Sequence, residues 1–285
     1  MLGAWDSTTV EAMGDGRYRA VIGPEWVLAM TPQGGVIAAV AARAMAAELA
    51  TDQPLRSIHS VFVSPVMPGP VEITVTVLRR GRSMSQAQVT VANEGSASGF
   101  TALALFGGDR QGFEFTELVM PEVPDPDRCQ SGRGPFPPGV AEELPDPWPF
   151  WDQIVENRVA LGSPWWEDAA PDVGEAASWF RFDHPPVLDG GLMDPLGLLV
   201  LVDVMPSAVF RRLGRTEERW FGPSADLTVH VFGHATPGWI LSHTKAHQAG
   251  DGYASVEAAL WDPRGEGGPK LVAWGTQQMF FTKMP

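Results

Sequence analysis

A belt of proline near the middle of this chain constrains its fold more than any other feature. Nine of the 26 prolines lie between Pro121 and Pro149. Proline lacks a backbone N–H and fixes φ, so this stretch holds neither a helix nor a central strand. It reads as an extended connector, residues 112–150, between an N-terminal unit, residues 1–111, and a C-terminal unit, residues 151–285.

The two units repeat one pattern. In the first, Gly34-Gly35 opens the run VIAAVAARAMAAELA, apolar on nearly all sides, which predicts a buried helix. Four alternating segments follow: SIHSVFVSP, VEITVTVLRRG, SMSQAQVTVANEG and GFTALALFG. Alternation punctuated by Gly or Pro-Gly predicts antiparallel strands joined by short turns. In the second, Gly190-Gly191 precedes LMDPLGLLVLVDVMPSAVFRRLG, with Asp194 placed as N-cap and Pro195 at the first helical position. Strand-like SADLTVHVF, GWILSHTKAHQ, GYASVEAALWDPRG and LVAWGTQQMFF come next. Ser57 and Ser224 are 167 positions apart, and Gly81 and Gly250 are 169 apart. One central helix followed by an antiparallel sheet, present twice, is an internal duplication.

Composition narrows the function. The formal charge of −14 does not suit a binder of nucleic acid backbones or of an anionic membrane surface. The longest apolar run, from Leu196 to Val202, is broken by Asp203 and Pro206, far short of the roughly 18 residues that span a bilayer. The first residues lack the basic and apolar regions of a secretory signal, so a soluble, cytoplasmic protein is expected. A single cysteine, Cys129, leaves no intrachain disulfide and no cysteine-based zinc cluster. His230 with His234, and His243 with His247, are spaced by four in strand-like segments. Members of each pair then sit about 13 Å apart, too far to share one ion, and no metal is expected.

Asp203 is the residue most out of place. It interrupts the most apolar segment, where an ionised carboxylate is costly unless hydrogen-bonded or used. Its alternative role is a helix-end residue serving backbone groups loosened by Pro206. Ser224 follows Gly222-Pro223 at a strand start, where serine commonly serves turns. Gln277 neighbours Gln278, so strand alternation turns one inward and one outward. Arg79, Arg80 and Arg82 form the densest basic cluster, either a solvated hairpin end or an anion-docking patch.

A sheet wrapped around one long apolar helix describes the hotdog fold. The chain resembles the acyl-CoA thioesterase II family, in which two hotdogs are joined by a long Pro-containing linker. The resemblance is carried by Gly34-Gly35, by Ser57-Ile58-His59-Ser60-Val61-Phe62 and by Gly81-Arg82-Ser83-Met84-Ser85. Leu201-Val202-Asp203, Ser224-Ala225-Asp226 and the strand from Leu271 to Gln277 carry it in the second unit. It implies an α+β tandem double hotdog, a homo-oligomer without cofactor, that hydrolyses fatty acyl-CoA. It further implies that Asp203, Ser224 and Gln277 hold and activate a water, Ser224 keeping the hydroxyl of the family's more usual threonine. By the repeat register Asp203 corresponds to about Ala47 and Gln277 to about Ala102, so one site is expected per chain. Gly34 and Gly35 would bring free N–H groups of the other helix to an oxyanion, or would merely permit a tight turn into that helix. Arg79, Arg80 and Arg82 would dock CoA phosphates. The rival readings are a non-catalytic acyl-CoA binder and a hotdog enoyl-CoA hydratase, whose G-D-x-N-P-x-x-H-like segment has no counterpart here.

Overall fold

The computed structural model describes residues 4–136, 148–164, 166–167, 169–214, 218 and 220–283. The first half contains β1 (Glu11–Gly14), β2 (Arg17–Ile22), α1 (Gly34–Leu49), β3 (Leu55–Phe62), β4 (Gly69–Arg79), β5 (Met84–Asn93) and β6 (Phe100–Gly107). A two-residue strand, β7 (Gln130–Ser131), lies in the connector. The second half contains β8 (Val155–Leu161), β9 (Glu175–Phe182), α2 (Leu196–Val202), α3 (Ser207–Leu213), β10 (Asp226–Val231), β11 (Ile240–Gly250), β12 (Tyr253–Asp262) and β13 (Lys270–Phe280).

These strands form one sheet in the order β1-β2-β4-β5-β6-β3-β10-β13-β12-β11-β9-β8-β7. Reading outward from the β3/β10 seam, the first half runs β3-β6-β5-β4-β2-β1 and the second runs β10-β13-β12-β11-β9-β8. The same connectivity on both sides is the duplication seen in space, a curved antiparallel sheet around a central helix in each half. At the seam Leu227 lies opposite Ser60 and Val229 opposite Ile58. The Ser60 hydroxyl donates to the Leu227 carbonyl at 2.6 Å, across the join.

Alternation decides which face is buried. Val71, Ile73 and Val75 of β4, and Ala87, Val89 and Val91 of β5, turn onto α1, while their neighbours face outward. The alanines of α1 keep that helix thin enough to pass close to α2. At Gly35 a Cβ would stand 2.3 Å from the Leu199 carbonyl oxygen, so only glycine fits this crossing.

The second-half helix departs from the continuous element expected. It is broken between Asp203 and Pro206 into α2 and α3. Pro206 has no N–H to offer the Val202 carbonyl, and the N–H of Val204 bonds there instead at 2.8 Å. Asp194 caps the start of α2, its Oδ1 accepting the N–H of Leu196 at 3.0 Å. Residues 108–125 contain neither helix nor ladder strand. Met120, Val123 and Cys129 nevertheless pack on Trp179, Leu241 and Trp261 on the outer face of the second half. Trp179 donates its indole N–H to Pro124 at 2.9 Å, pinning the connector there. Among the described residues no helix is long and apolar enough to cross a membrane.

Candidate active site

The break in the second helix places a carboxylate against the start of the first. Asp203 is the residue at which α2 ends, with φ −77° and ψ 41°, and is 9% exposed. Its Oδ2 accepts the N–H of Gly35 at 2.7 Å. Its Oδ1 accepts the side-chain amide of Gln277. Burial pushes the Asp203 carboxyl up to about 7, against the opposing pull of the amide donors from Gly35, Gln277 and Gly34. A carboxylate that titrates near neutrality is suited to take and return a proton.

Each partner reaches this point for a local reason. Gln277 is buried on the helix-facing side of β13, while Gln278 turns away and accepts the Ser255 hydroxyl at 2.7 Å. Gly34 and Gly35 form the first turn of α1, where backbone N–H groups have no helical acceptor and favour negative charge. A Cβ at Gly34 would stand 2.5 Å from the tip of Phe62 and 2.9 Å from Asp203 Oδ2. Both positions of the pair lie against the carboxylate or the helix that carries it. The expectation that these N–H groups stand free is corrected: that of Gly35 is engaged by Asp203 at 2.7 Å, and that of Gly34 also donates toward the same carboxylate.

Ser224 lies just before β10, bridged to Met279 of β13. The N–H of Ala225 bonds the Gln278 carbonyl at 2.8 Å, so the strand slips register by one residue here. Ser224 is half-buried, and among the described residues its hydroxyl makes no hydrogen bond to Asp203 or Gln277. The structure thus joins Asp203, Gln277 and the start of α1 directly, with Ser224 outside the strand and bridged to Met279, two residues beyond Gln277.

Arg79, Arg80 and Arg82 are not brought to this group. Arg80 donates to the Glu48 carbonyl at 2.8 Å, in the last turn of α1. Gln53 ties the same loop down through the carbonyls of Gly81 and Arg82. Thirteen helical steps from Gly35 to Glu48, at about 1.5 Å each, put that end roughly 20 Å from Gly35. The other helix crossing also differs: near the start of α2, Arg43 pairs with Asp194 at 3.1 Å and lies over the Trp5 ring. The carboxylate at that crossing, Asp194, is thus neutralised by an arginine, whereas Asp203 is met by amide donors. His243 of the histidine pairs bonds Glu175 at 2.7 Å, and His59 contacts the Thr228 hydroxyl at 3.3 Å.

One participant escaped the sequence reading. Gln33 precedes the glycine pair, is buried, and accepts the N–H of Val36 at 3.0 Å as the cap of α1. Its amide also donates to the carbonyls of Val200, at 2.8 Å, and Asp203, at 3.0 Å. Glutamine is not among the favoured capping types, so its position alone carried no signal.

Comparison with known proteins identifies the family. Residues 22–107 match the family model described as the acyl-CoA thioesterase N-terminal domain, and residues 126–281 match that of the C-terminal domain. The chain is similar over 100% of both lengths to a hot dog fold protein of unknown function from Alicyclobacillus acidocaldarius, at 23% identity and a TM-score of 0.80. A candidate thioesterase from Novosphingobium aromaticivorans is 26% identical, with 95% of this chain and 97% of that one covered and a TM-score of 0.73. An acyl-CoA thioesterase II from Mycobacterium marinum is 20% identical, with 99% of each chain covered and a TM-score of 0.69.

Proposed function

The chain belongs to the acyl-CoA thioesterase family, and from that premise we propose that it hydrolyses a fatty acyl-CoA thioester to free acid and CoA. The observation that carries the reading is a buried carboxylate titrating at about 7, held between a helix N-terminus and an inward glutamine. Asp203 takes a proton from a water that Gln277 and Ser224 help to orient. The water oxygen bonds to the thioester carbonyl carbon, whose π electrons move onto oxygen. As Asp203 becomes neutral it holds the Gly35 N–H less strongly. The N–H groups of Gly34 and Gly35 then serve the oxyanion. Collapse of the tetrahedral intermediate breaks the C–S bond, and the proton held by Asp203 goes to the departing thiolate. No step in this scheme uses a metal ion, so dialysis against a chelator is expected to leave the rate of thiol release unchanged. Loss of activity restored by one divalent ion would contradict it.

A second reading is an acyl-CoA binder without turnover. It is favoured by the engagement of both Asp203 oxygens and by the separation of Ser224 from that pair. A steady-state thiol-release assay over acyl-CoAs of increasing chain length separates the two. Turnover of at least one chain-length class is expected, and saturable binding with no thiol release would establish the binder instead.

A further inference from the structure

We propose that Gln33 is a positioning residue, holding the broken end of α2 against the first turn of α1 so that the Asp203 carboxylate meets the Gly35 N–H. The inference rests on the hydrolytic role just proposed for Asp203. In an uninterrupted helix the N–H of Val204 would serve the Val200 carbonyl, and that of Ser207 would serve the carbonyl of Asp203. Here Val204 turns to Val202 instead. A buried carbonyl without a partner is costly, and two arise at one break. The Gln33 amide, with two hydrogens to donate, reaches both of them.

The same side chain uses its remaining oxygen at the other helix. Its Oε1 accepts the N–H of Val36, next to the Gly35 N–H that holds Asp203 Oδ2. One residue of the first half therefore fixes three backbone groups, two of them some 170 positions away in the second. Gln33 is 2% exposed and touches neither carboxylate oxygen, so it acts through placement alone. Glutamate in its place keeps the cap acceptor, loses both donors and adds negative charge. Methionine keeps length and removes every hydrogen bond.

The test compares the parent with Gln33→Met and Gln33→Glu by steady-state thiol release against pH. In parallel, the Asp203 carboxyl stretch is titrated by infrared difference, isolated by subtracting the Asp203→Asn protein. Misplacement of the base is expected to lower kcat by about 10²-fold while KM stays essentially unchanged. The Asp203 midpoint is expected to move in both variants, and upward in Gln33→Glu, where the added carboxylate disfavours a second charge. If Gln33→Met does not fold, Gln33→Glu, which keeps the helix cap, carries the test. Parent kcat together with the parent midpoint in a folded variant, whatever its melting temperature, overturns the proposal. If the parent itself releases no thiol, hydrolysis fails as a reading, and the infrared midpoint alone decides the role of Gln33.

Discussion

At the scale of single residues, Asp203 carries opposed demands. Its carboxyl titrates at about 7 instead of the ordinary 3.8, because burial disfavours its charge more than the amide donors favour it. Between those values the folded chain binds a proton that the unfolded chain has released, so this group's contribution to stability falls as pH rises from about 4 to about 7. Asp203→Asn removes the buried charge. Its melting temperature should exceed that of the parent at pH 8, with the difference closing by pH 4, as scanning calorimetry would show. An unchanged difference across that range would mean that Asp203 titrates as an ordinary carboxylate. Activity should run the opposite way. A base works only when ionised, so kcat should rise with pH through a midpoint near 7 in the parent. A flat profile from pH 5 to 8 would remove Asp203 as the base.

At the scale of elements, the functional geometry comes from two helix ends that meet. Gly35 is the point of closest approach, and Gly35→Ala would push a methyl group toward the Leu199 carbonyl. Overpacking of this kind typically costs about 1–3 kcal/mol, so a lower melting temperature with parent-like secondary structure is expected. Full stability in Gly35→Ala would show that the two helices can separate freely. The elements were legible in the sequence to the extent that pattern repeats. The all-round apolar α1, the alternating strands and the odd charge of Asp203 follow from local rules. The inward turn of Gln277 followed only as one of two alternatives. What was not legible depends on contact across the two halves. The engagement of the Gly35 N–H and the three bonds of Gln33 arise where α1 meets α2, about 170 positions distant in the chain. The break after Asp203 was half-visible, since Pro206 signalled a loosened backbone but not a new helix beginning at Ser207.

At the scale of the whole molecule, the halves complete one another. The first brings its helix start, Gln33, Gly34 and Gly35, against Asp203 and Gln277 of the second. The β3/β10 seam makes one sheet of two, and dividing the chain would expose β3 as a bare edge beside an apolar helix. Residues 1–115 expressed alone should therefore be polydisperse, without a cooperative thermal transition. A monodisperse, cooperatively melting monomer would show that the first half does not need the second. Duplication also supplies an internal control. By the repeat register Ser57 answers to Ser224, and the other helix crossing pairs its carboxylate, Asp194, with Arg43 instead of with a glutamine. The most direct measurement is thus kcat for acyl-CoA hydrolysis by the parent, Asp203→Asn and Ser57→Ala, each with its melting temperature verified. Asp203→Asn should lose about 10²–10⁴-fold while Ser57→Ala stays near the parent rate. Parent-rate turnover by Asp203→Asn with an inactive Ser57→Ala would place the chemistry in the other half.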